Sequence, residues 1–429
     1  MDFFNIDKKL QQLDAAVVSE CEKAFKEIDS ITEYNQLKVL NAFIKNKVGE
    51  SNFAPTTGYG YGDKGRDSLD RLLADIFKTE DALIRYTFAS GTSTISTALF
   101  GILRPGDKML CVTGRPYDTL IGVLGCDKFV DGSLSDYKIG YAQVDLLPDG
   151  TVNYPGIKAA LESDTYKIAY IQRSRGYSLR PSLKIKDIEK ICRTIRSVCP
   201  DIIIMTDNCY GEFTEKEEPT QVGADIMAGS LIKNPGGGII PCGGYIAGRA
   251  DLIEKCSYRM TAPGVGREVG ATLGHNREMY MGVFNAPHVT GEALKSAVYA
   301  SALFKKMGYS VSPEADEKRG DIIQSICLNT PKNLIAFCKG MQSGAPIDSY
   351  VTPEPWDMPG YDDKVIMAAG TFTGGASIEL SADAPLREPF AVWMQGGINF
   401  HSAKMGILLA AQQVLNSAAD SPKADMSAK

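Results

Sequence analysis

The chain has 429 residues, too many for one compact core, so two domains are expected. Hydrophobic residues make up 44% and charged residues 23%, the balance of a soluble globular protein. A formal net charge of -6 without any basic stripe argues against a nucleic-acid partner, and the apolar runs are too broken by Gly, Pro or charge to cross a bilayer.

The opening MDFFNIDKKLQQLD is acidic and amphipathic and lacks the basic and apolar regions of a signal peptide, so a cytoplasmic location is expected. The 10 cysteines fit that compartment: they form no CxxC pair and lie mostly in apolar stretches, as reduced buried thiols do. With only 3 scattered histidines and no Cys/His cluster, no metal site is expected.

Apolar spacing predicts two helices between residues 6 and 49, the second from Tyr34 to Val48. A glycine-rich break, TTGYGYGDKGRD, precedes a helical SLDRLLADIF. Strands and helices then alternate. DALIRYTF, DKMLCV, YAQVDLL, TYKIAYIQ, DIIIMTDN, ADIMAGSL and GGYIAG read as strands, with helices such as GTSTISTALFGIL and IKDIEKICRTIRSVC among them. This alternation predicts an α/β fold, a mostly parallel sheet covered by helices, with ligands at the carboxyl ends of the strands. A long helical region follows from about 271 to 307, then a smaller α+β segment. The expected organisation is an N-terminal helical arm over 1–57, a large domain over 58–285, a small C-terminal α+β domain over 286–415 and a flexible tail over 416–429.

Three segments carry the chemistry. In TFASGTSTISTAL a strand passes into a helix through Ser90, Gly91 and Thr92, where backbone N–H groups and small hydroxyls can cradle a phosphate. In MTDNCYGEF, Asp207 ends a buried strand, where a carboxylate is costly without a cationic partner. In GSLIKNPGGG, Lys233 stands in an apolar, glycine-flanked turn, where lost solvation is expected to lower its pKa and make the amine a nucleophile. Each alone reads equally as a helix cap, a turn or a strand-end lysine. In this order, with the lysine about 26 residues after the aspartate, they supply what pyridoxal 5'-phosphate requires: an anion cradle, a carboxylate for the pyridine nitrogen and an amine for a Schiff base.

The motifs FASGTSTI, TDNCYGEF, GSLIKNPGGG and LSADAPLREPFAVWMQGG resemble fold type I pyridoxal-phosphate enzymes of the cystathionine/methionine lyase superfamily. The likeness is strongest to the aluminium-resistance, methionine gamma-lyase-like branch, and runs from about Gly58 to His401. It implies a fold type I, transferase-like architecture with a seven-stranded-type sheet. It implies Lys233 as the Schiff-base and proton-shuttling lysine, Asp207 on the pyridinium, and Ser90, Gly91, Thr92 and Ser230 on the phosphate. Tyr117 would stack on the cofactor and act as acid or base, and Arg387 would clamp the substrate carboxylate. Tyr59, Tyr61 and Arg66 would reach a neighbouring subunit's phosphate, making the protein a homodimer or homotetramer. Where the better-known lyases carry an asparagine near the cofactor's phenolic oxygen, this chain has Arg173, Ser174 and Arg175, and Arg175 is assigned that place. Tyr210 is read as packing beneath the site, Arg267 as a lesser anion contact, and the EKEE run at 215–218 as a solvated turn.

The implied activity is β- or γ-elimination from a sulfur amino acid such as cystathionine, cysteine or methionine. The altered IQRSRGYS segment leaves open a γ-replacement synthase, an aldolase or an aminotransferase, and a non-catalytic pyridoxal-phosphate-binding role is a further alternative.

Overall fold

The computed structural model describes residues 3–358 and 363–419. The chain divides into a larger unit, Asp29–Gly291 with Lys318–Ile322, and a smaller one made of the residues up to Ile28, Glu292–Glu317 and the chain from Ile323 onward. Among the described residues no helix is long and apolar enough to cross a membrane.

The chain begins with α1 (Lys8–Lys45), one continuous helix where sequence spacing suggested two. The DSIT stretch at 29–32 has poor helix formers but no Gly or Pro, so nothing breaks the helix there. The expected arm over 1–57 is therefore not one body. The first part of α1 belongs to the smaller unit, where Asp14 accepts a 2.7 Å bond from Tyr299. The second part belongs to the larger, where Phe43 meets Tyr280 edge-on at 6.0 Å.

The larger unit then runs α2 (Lys64–Phe77), β1 (Asp81–Arg85), α3 (Gly91–Ile102), β2 (Lys108–Cys111), α4 (Asp118–Leu124), β3 (Gly140–Gln143), α5 (Tyr154–Ser163), β4 (Ile168–Gln172), α6 (Ile185–Arg196), β5 (Ile203–Asp207), β6 (Ile226–Ser230), β7 (Gly244–Gly248), α7 (Ala250–Met260) and into α8 (Asn276–Lys306). The seven strands form one sheet in the order β1-β7-β6-β5-β4-β2-β3. Only β7 runs against its neighbours; the pairs from β6 to β3 are all parallel.

Strands β4, β5 and β6 are buried at every position, as a parallel sheet covered on both faces demands. Side-chain alternation divides them between two cores. Ile168, Tyr170 and Met205 face the layer of α3, α4 and α7. Ala169, Ile171 and Ile204 face α5 and α6. Helix α6 shows the same logic at helical period: Ile185, Ile188, Ile191, Cys192 and Ile195 are buried and its charges face outward.

The smaller unit contains a five-stranded antiparallel sheet in the order β10-β11-β12-β9-β8, made of β8 (Ser310–Ser312), β9 (Gln324–Cys327), β10 (Val365–Ala368), β11 (Ser381–Pro385) and β12 (Ala391–Gln395). Helices α9 (Pro331–Ser343) and α10 (Phe400–Ala419) belong with it. Residues 416–419 of the expected tail continue α10, and its remainder, 420–429, lies outside the described residues.

One buried ion pair ties α2 to β1. Asp70 Oδ2 accepts from Arg85 Nη2 at 2.8 Å, and Asp70 Oδ1 also takes the Ile84 N–H at 2.9 Å. Both side chains are almost fully buried. Removing one partner strands the other charge, so Asp70→Ala is expected to cost about 3–5 kcal/mol. Chemical denaturation followed by tryptophan-independent circular dichroism measures this; a loss below 1 kcal/mol, about that of a surface pair, would contradict it.

Candidate active site

Strands β4, β5 and β6 end side by side, and the register pairs Gln172 with Asp207 and Asp207 with Ala228. Asp207 is 4% exposed at the carboxyl end of β5. Its Oδ1 accepts the Cys209 N–H at 3.1 Å and its Oδ2 lies 3.3 Å from the Tyr170 hydroxyl. Burial pushes this carboxylate above its ordinary pKa, while the Lys233 charge and these two donors pull it back.

Lys233 follows β6 in extended conformation and opens the turn Asn234–Gly236. Its Nζ sits 3.8 Å from the centroid of the Tyr210 ring, close enough for a cation–π contact. The turn is fastened by Asn234, whose Nδ2 donates to Tyr210 O at 3.0 Å and Glu212 O at 2.9 Å. The expectation of a lowered lysine pKa is corrected here. Burial alone would lower it, but Cys209, Tyr210, Asp207 and Tyr117 surround the ammonium and raise it.

On the same face of the sheet, Ser90 caps α3: its Oγ accepts the Ser93 N–H at 3.1 Å and its N–H bonds Ser93 Oγ at 2.9 Å. The first-turn N–H groups have no carbonyl within the helix to bond, which makes this end an anion cradle. Gly91 makes a close approach: a Cβ there would lie 3.1 Å from the Cβ of buried Ser230. Thr92 Oγ1 is 3.1 Å from the Tyr117 hydroxyl, and Gln172 Oε1 accepts the Tyr117 N–H at 2.9 Å. Burial first, then the nearby Asp207, raise the Tyr117 pKa, so its phenol stays protonated.

The structure thus gathers Ser90, Gly91, Thr92, Tyr117, Asp207, Ser230 and Lys233 in one unit, at the carboxyl ends of β4–β6. A basic amine, a buried carboxylate and a helix N-terminus are the donor set pyridoxal phosphate needs, and the glycine-to-serine approach leaves the cradle open. Tyr170 and Gln172 were missed from the sequence. The available signal was two polar-tipped residues at spacing two near the end of an otherwise apolar strand, TYKIAYIQ.

The other expected residues are distributed differently. Tyr59 and Tyr61 are exposed and stacked at 5.5 Å, whereas Arg66 is buried, with Nη1 donating to Gly60 O at 2.9 Å and Gly270 O at 3.1 Å. Arg267 bonds Asp81. Arg387 stands between β11 and β12 in the smaller unit, exposed, with Nη1 3.3 Å from Asp363. Arg175 is buried, and its N–H bonds Asp321 Oδ2 at 3.3 Å. Arg173 is committed to the fold: Nη1 donates to Asn208 Oδ1 at 2.8 Å and Nη2 to Glu215 Oε1 at 3.0 Å.

The expected solvated turn at 215–218 is corrected by the same contacts. Glu218 is fully buried, taking the Phe213 N–H at 2.9 Å and Asn208 Nδ2 at 3.0 Å. Glu212 is buried beside it, its Oε1 accepting the Tyr245 hydroxyl at 2.8 Å.

The sequence matches the methionine gamma-lyase family over residues 10–415. It is 50% identical to the uncharacterized protein YnbB of Bacillus subtilis (strain 168), over 91% of this chain and 93% of that one. It superposes with a TM-score of 0.92 on a carbon-sulfur lyase involved in aluminum resistance from Clostridium novyi NT, 51% identical, covering 95% of this chain and 96% of that one. A pyridoxal-5'-phosphate dependent protein, YhfS of Escherichia coli, shares the fold at a TM-score of 0.61 and 15% identity over 91% of this chain and 97% of that one.

The buried carboxyl of Glu212 makes a prediction about stability. Burial pushes its pKa up to about 8, from an ordinary 4.5. Between those values the folded chain keeps a proton that the unfolded chain releases, so this group's contribution is full below pH 4.5 and is lost as pH rises to 8. The loss is at most about 1.4 kcal/mol per pH unit. Glu212→Gln should flatten that slope, gaining on the unaltered chain as pH rises. Urea unfolding at several pH values checks it, and parallel curves would refute it.

Proposed function

Because this chain belongs to the methionine gamma-lyase family, a family of pyridoxal-phosphate-dependent lyases, we propose that it is a carbon–sulfur lyase that eliminates a thiol from the β- or γ-carbon of a sulfur amino acid such as cystathionine, cysteine or methionine. Pyridoxal phosphate supplies an electron sink for negative charge developing next to the amino group.

The chain's own residues divide the remaining work. Lys233 would hold the cofactor through its amine, and when released from it would take the proton from the substrate's α-carbon. Asp207 would hold the pyridine nitrogen protonated. Ser90, Gly91, Thr92 and Ser230 would bind the phosphate. Arg175 would bond the phenolic oxygen, a role for which Arg173, spent on Asn208 and Glu215, is not available. Arg387 would clamp the substrate carboxylate through a bidentate pair; its present bond to exposed Asp363 is of the weak, exchangeable kind. Tyr59 and Tyr61 would serve the phosphate of a second copy of the chain, with buried Arg66 holding the loop that presents them.

The observation that supports elimination is the Tyr117 phenol. It is held at Thr92 and at Gln172, kept protonated by burial, and close enough to Asp207 and Lys233 to feel their charge. A protonated acid beside the proton-abstracting amine is what a departing thiolate needs.

The purified protein should be yellow, and Lys233→Ala should lose the visible band and, with it, turnover. Tyr117→Phe should keep the band and lose about 10²–10⁴-fold in rate, the usual worth of a general acid. Keto-acid and thiol release from cystathionine, cysteine and methionine measures turnover. No release from any of the three would overturn the lyase reading, and retention of the amino group on the protein would identify a transaminase instead.

A further inference from the structure

Strand β4 sends two side chains to one face of the sheet. Tyr170 and Gln172 are two residues apart, so in an extended strand they point the same way. Gln172 holds the backbone of Tyr117. Tyr170 is fully buried in the core beneath α3 and α4, among mostly apolar side chains. A phenolic oxygen there must find a partner. Its partner is Asp207 Oδ2, at 3.3 Å.

We propose that Tyr170 is a positioning residue of this site: its hydroxyl, donated to Asp207 Oδ2, keeps the carboxylate ionised and aimed, and thereby sets how fully the cofactor's pyridine nitrogen is protonated. The proposal rests on the pyridoxal-phosphate reading above. A buried carboxylate and a pyridine nitrogen can share one proton as an ion pair or as a neutral hydrogen-bonded pair. Each donor to the carboxylate favours the ion pair, and only the ion pair gives the ring its full electron-withdrawing power.

The groups facing Asp207 come from every neighbouring element. They are Tyr170 on β4, Cys209 after β5, Lys233 after β6, Tyr117 at the start of α4, and Arg180 in the loop after β4. Arg180 spends its guanidinium on the carbonyls of Gln172, Ser174 and Pro181. Tyr117 bonds Thr92. Lys233 is committed to the cofactor once it is loaded. That leaves as direct donors the Cys209 N–H on Oδ1, the Cys209 thiol, and the Tyr170 hydroxyl on Oδ2. Burial raises the Tyr170 pKa well above that of a free phenol, so it remains a donor at any working pH.

The test compares the unaltered chain, Tyr170→Phe, and a chain carrying 3-fluorotyrosine at position 170, which is a stronger donor of nearly the same shape. Each is loaded with pyridoxal phosphate labelled with ¹⁵N in the ring, and the ¹⁵N resonance is read. Tyr170→Phe should move it toward the unprotonated position and slow α-proton exchange of bound methionine about tenfold, the equivalent of one hydrogen bond; fluorotyrosine should move the resonance the other way. In the cofactor-free proteins, the ¹³C-carboxyl titration of Asp207 should rise by about one pH unit in Tyr170→Phe. An unmoved ring resonance in both altered proteins overturns the proposal, even if turnover falls. Should Tyr170→Phe fail to fold, the fluorotyrosine protein decides alone. An unaltered chain that binds no labelled cofactor refutes the function proposed above instead, and the cofactor-free titration still decides whether Tyr170 controls Asp207.

Discussion

The carboxyl end of the larger sheet is organised around a buried carboxylate and a buried amine, Asp207 and Lys233, each within reach of the other's charge. Taking a carboxylate out of water at the end of β5 is costly unless opposite charge and hydrogen bonds replace the lost solvation. The chain meets this requirement from three elements: the ammonium after β6, the Cys209 N–H after β5 and the Tyr170 hydroxyl from β4. At Lys233, burial acts to lower the pKa, and the acidic groups around the amine act to raise it.

Behind that pair lies a second buried polar layer. Arg173 reaches Asn208, Thr214 and Glu215; Asn208 reaches Glu218; and Tyr245 bonds Glu212. Close packing accompanies it. A Cβ at Gly229 would come within 2.4 Å of Glu212 Oε1, so β6 passes directly over this layer. Buried hydrogen bonds of this kind restrict a loop, although Glu212 Oε2 has no hydrogen-bond partner. Here the restricted loop is 208–218, which carries Tyr210 under Lys233 and is tied to the lysine's own turn through Asn234. The lysine is therefore held from both sides of the sheet end.

Membership in the methionine gamma-lyase family and the likeness to a carbon-sulfur lyase agree with this chemistry. Three arginines, Arg173, Arg175 and Arg180, are buried within one short segment after β4, and they are not equivalent. Arg173 serves the polar layer. Arg180 is bound to backbone carbonyls, and its pKa is lowered to about 10 by burial. Arg175 is joined through its backbone to Asp321, a residue that returns to the larger unit from far along the chain.

Much of this was legible in the sequence. The alternation of apolar strands with amphipathic helices determined an α/β sheet, because burial on both faces forces continuous apolar strands. Ser90–Thr92, Asp207 and Lys233 could be found because each breaks the local pattern at a strand end, where polar groups need a reason. What only the tertiary structure decided were features that depend on segments distant in the chain. Strand direction is one: GGYIAG reads as a strand in either sense, and only its pairing shows that β7 runs against its neighbours. The single α1 helix is another, since DSIT is neither a former nor a breaker. The run at 215–218 looked solvated because a run of charges usually is; Lys216 and Glu217 are exposed, and the approach of Arg173 and Asn208 is what allows Glu218 to be buried. Tyr170 looked like one more core aromatic until β5 placed Asp207 against its hydroxyl. Sequence periodicity reports which face of an element is buried. It does not report which polar atom waits on the neighbouring element.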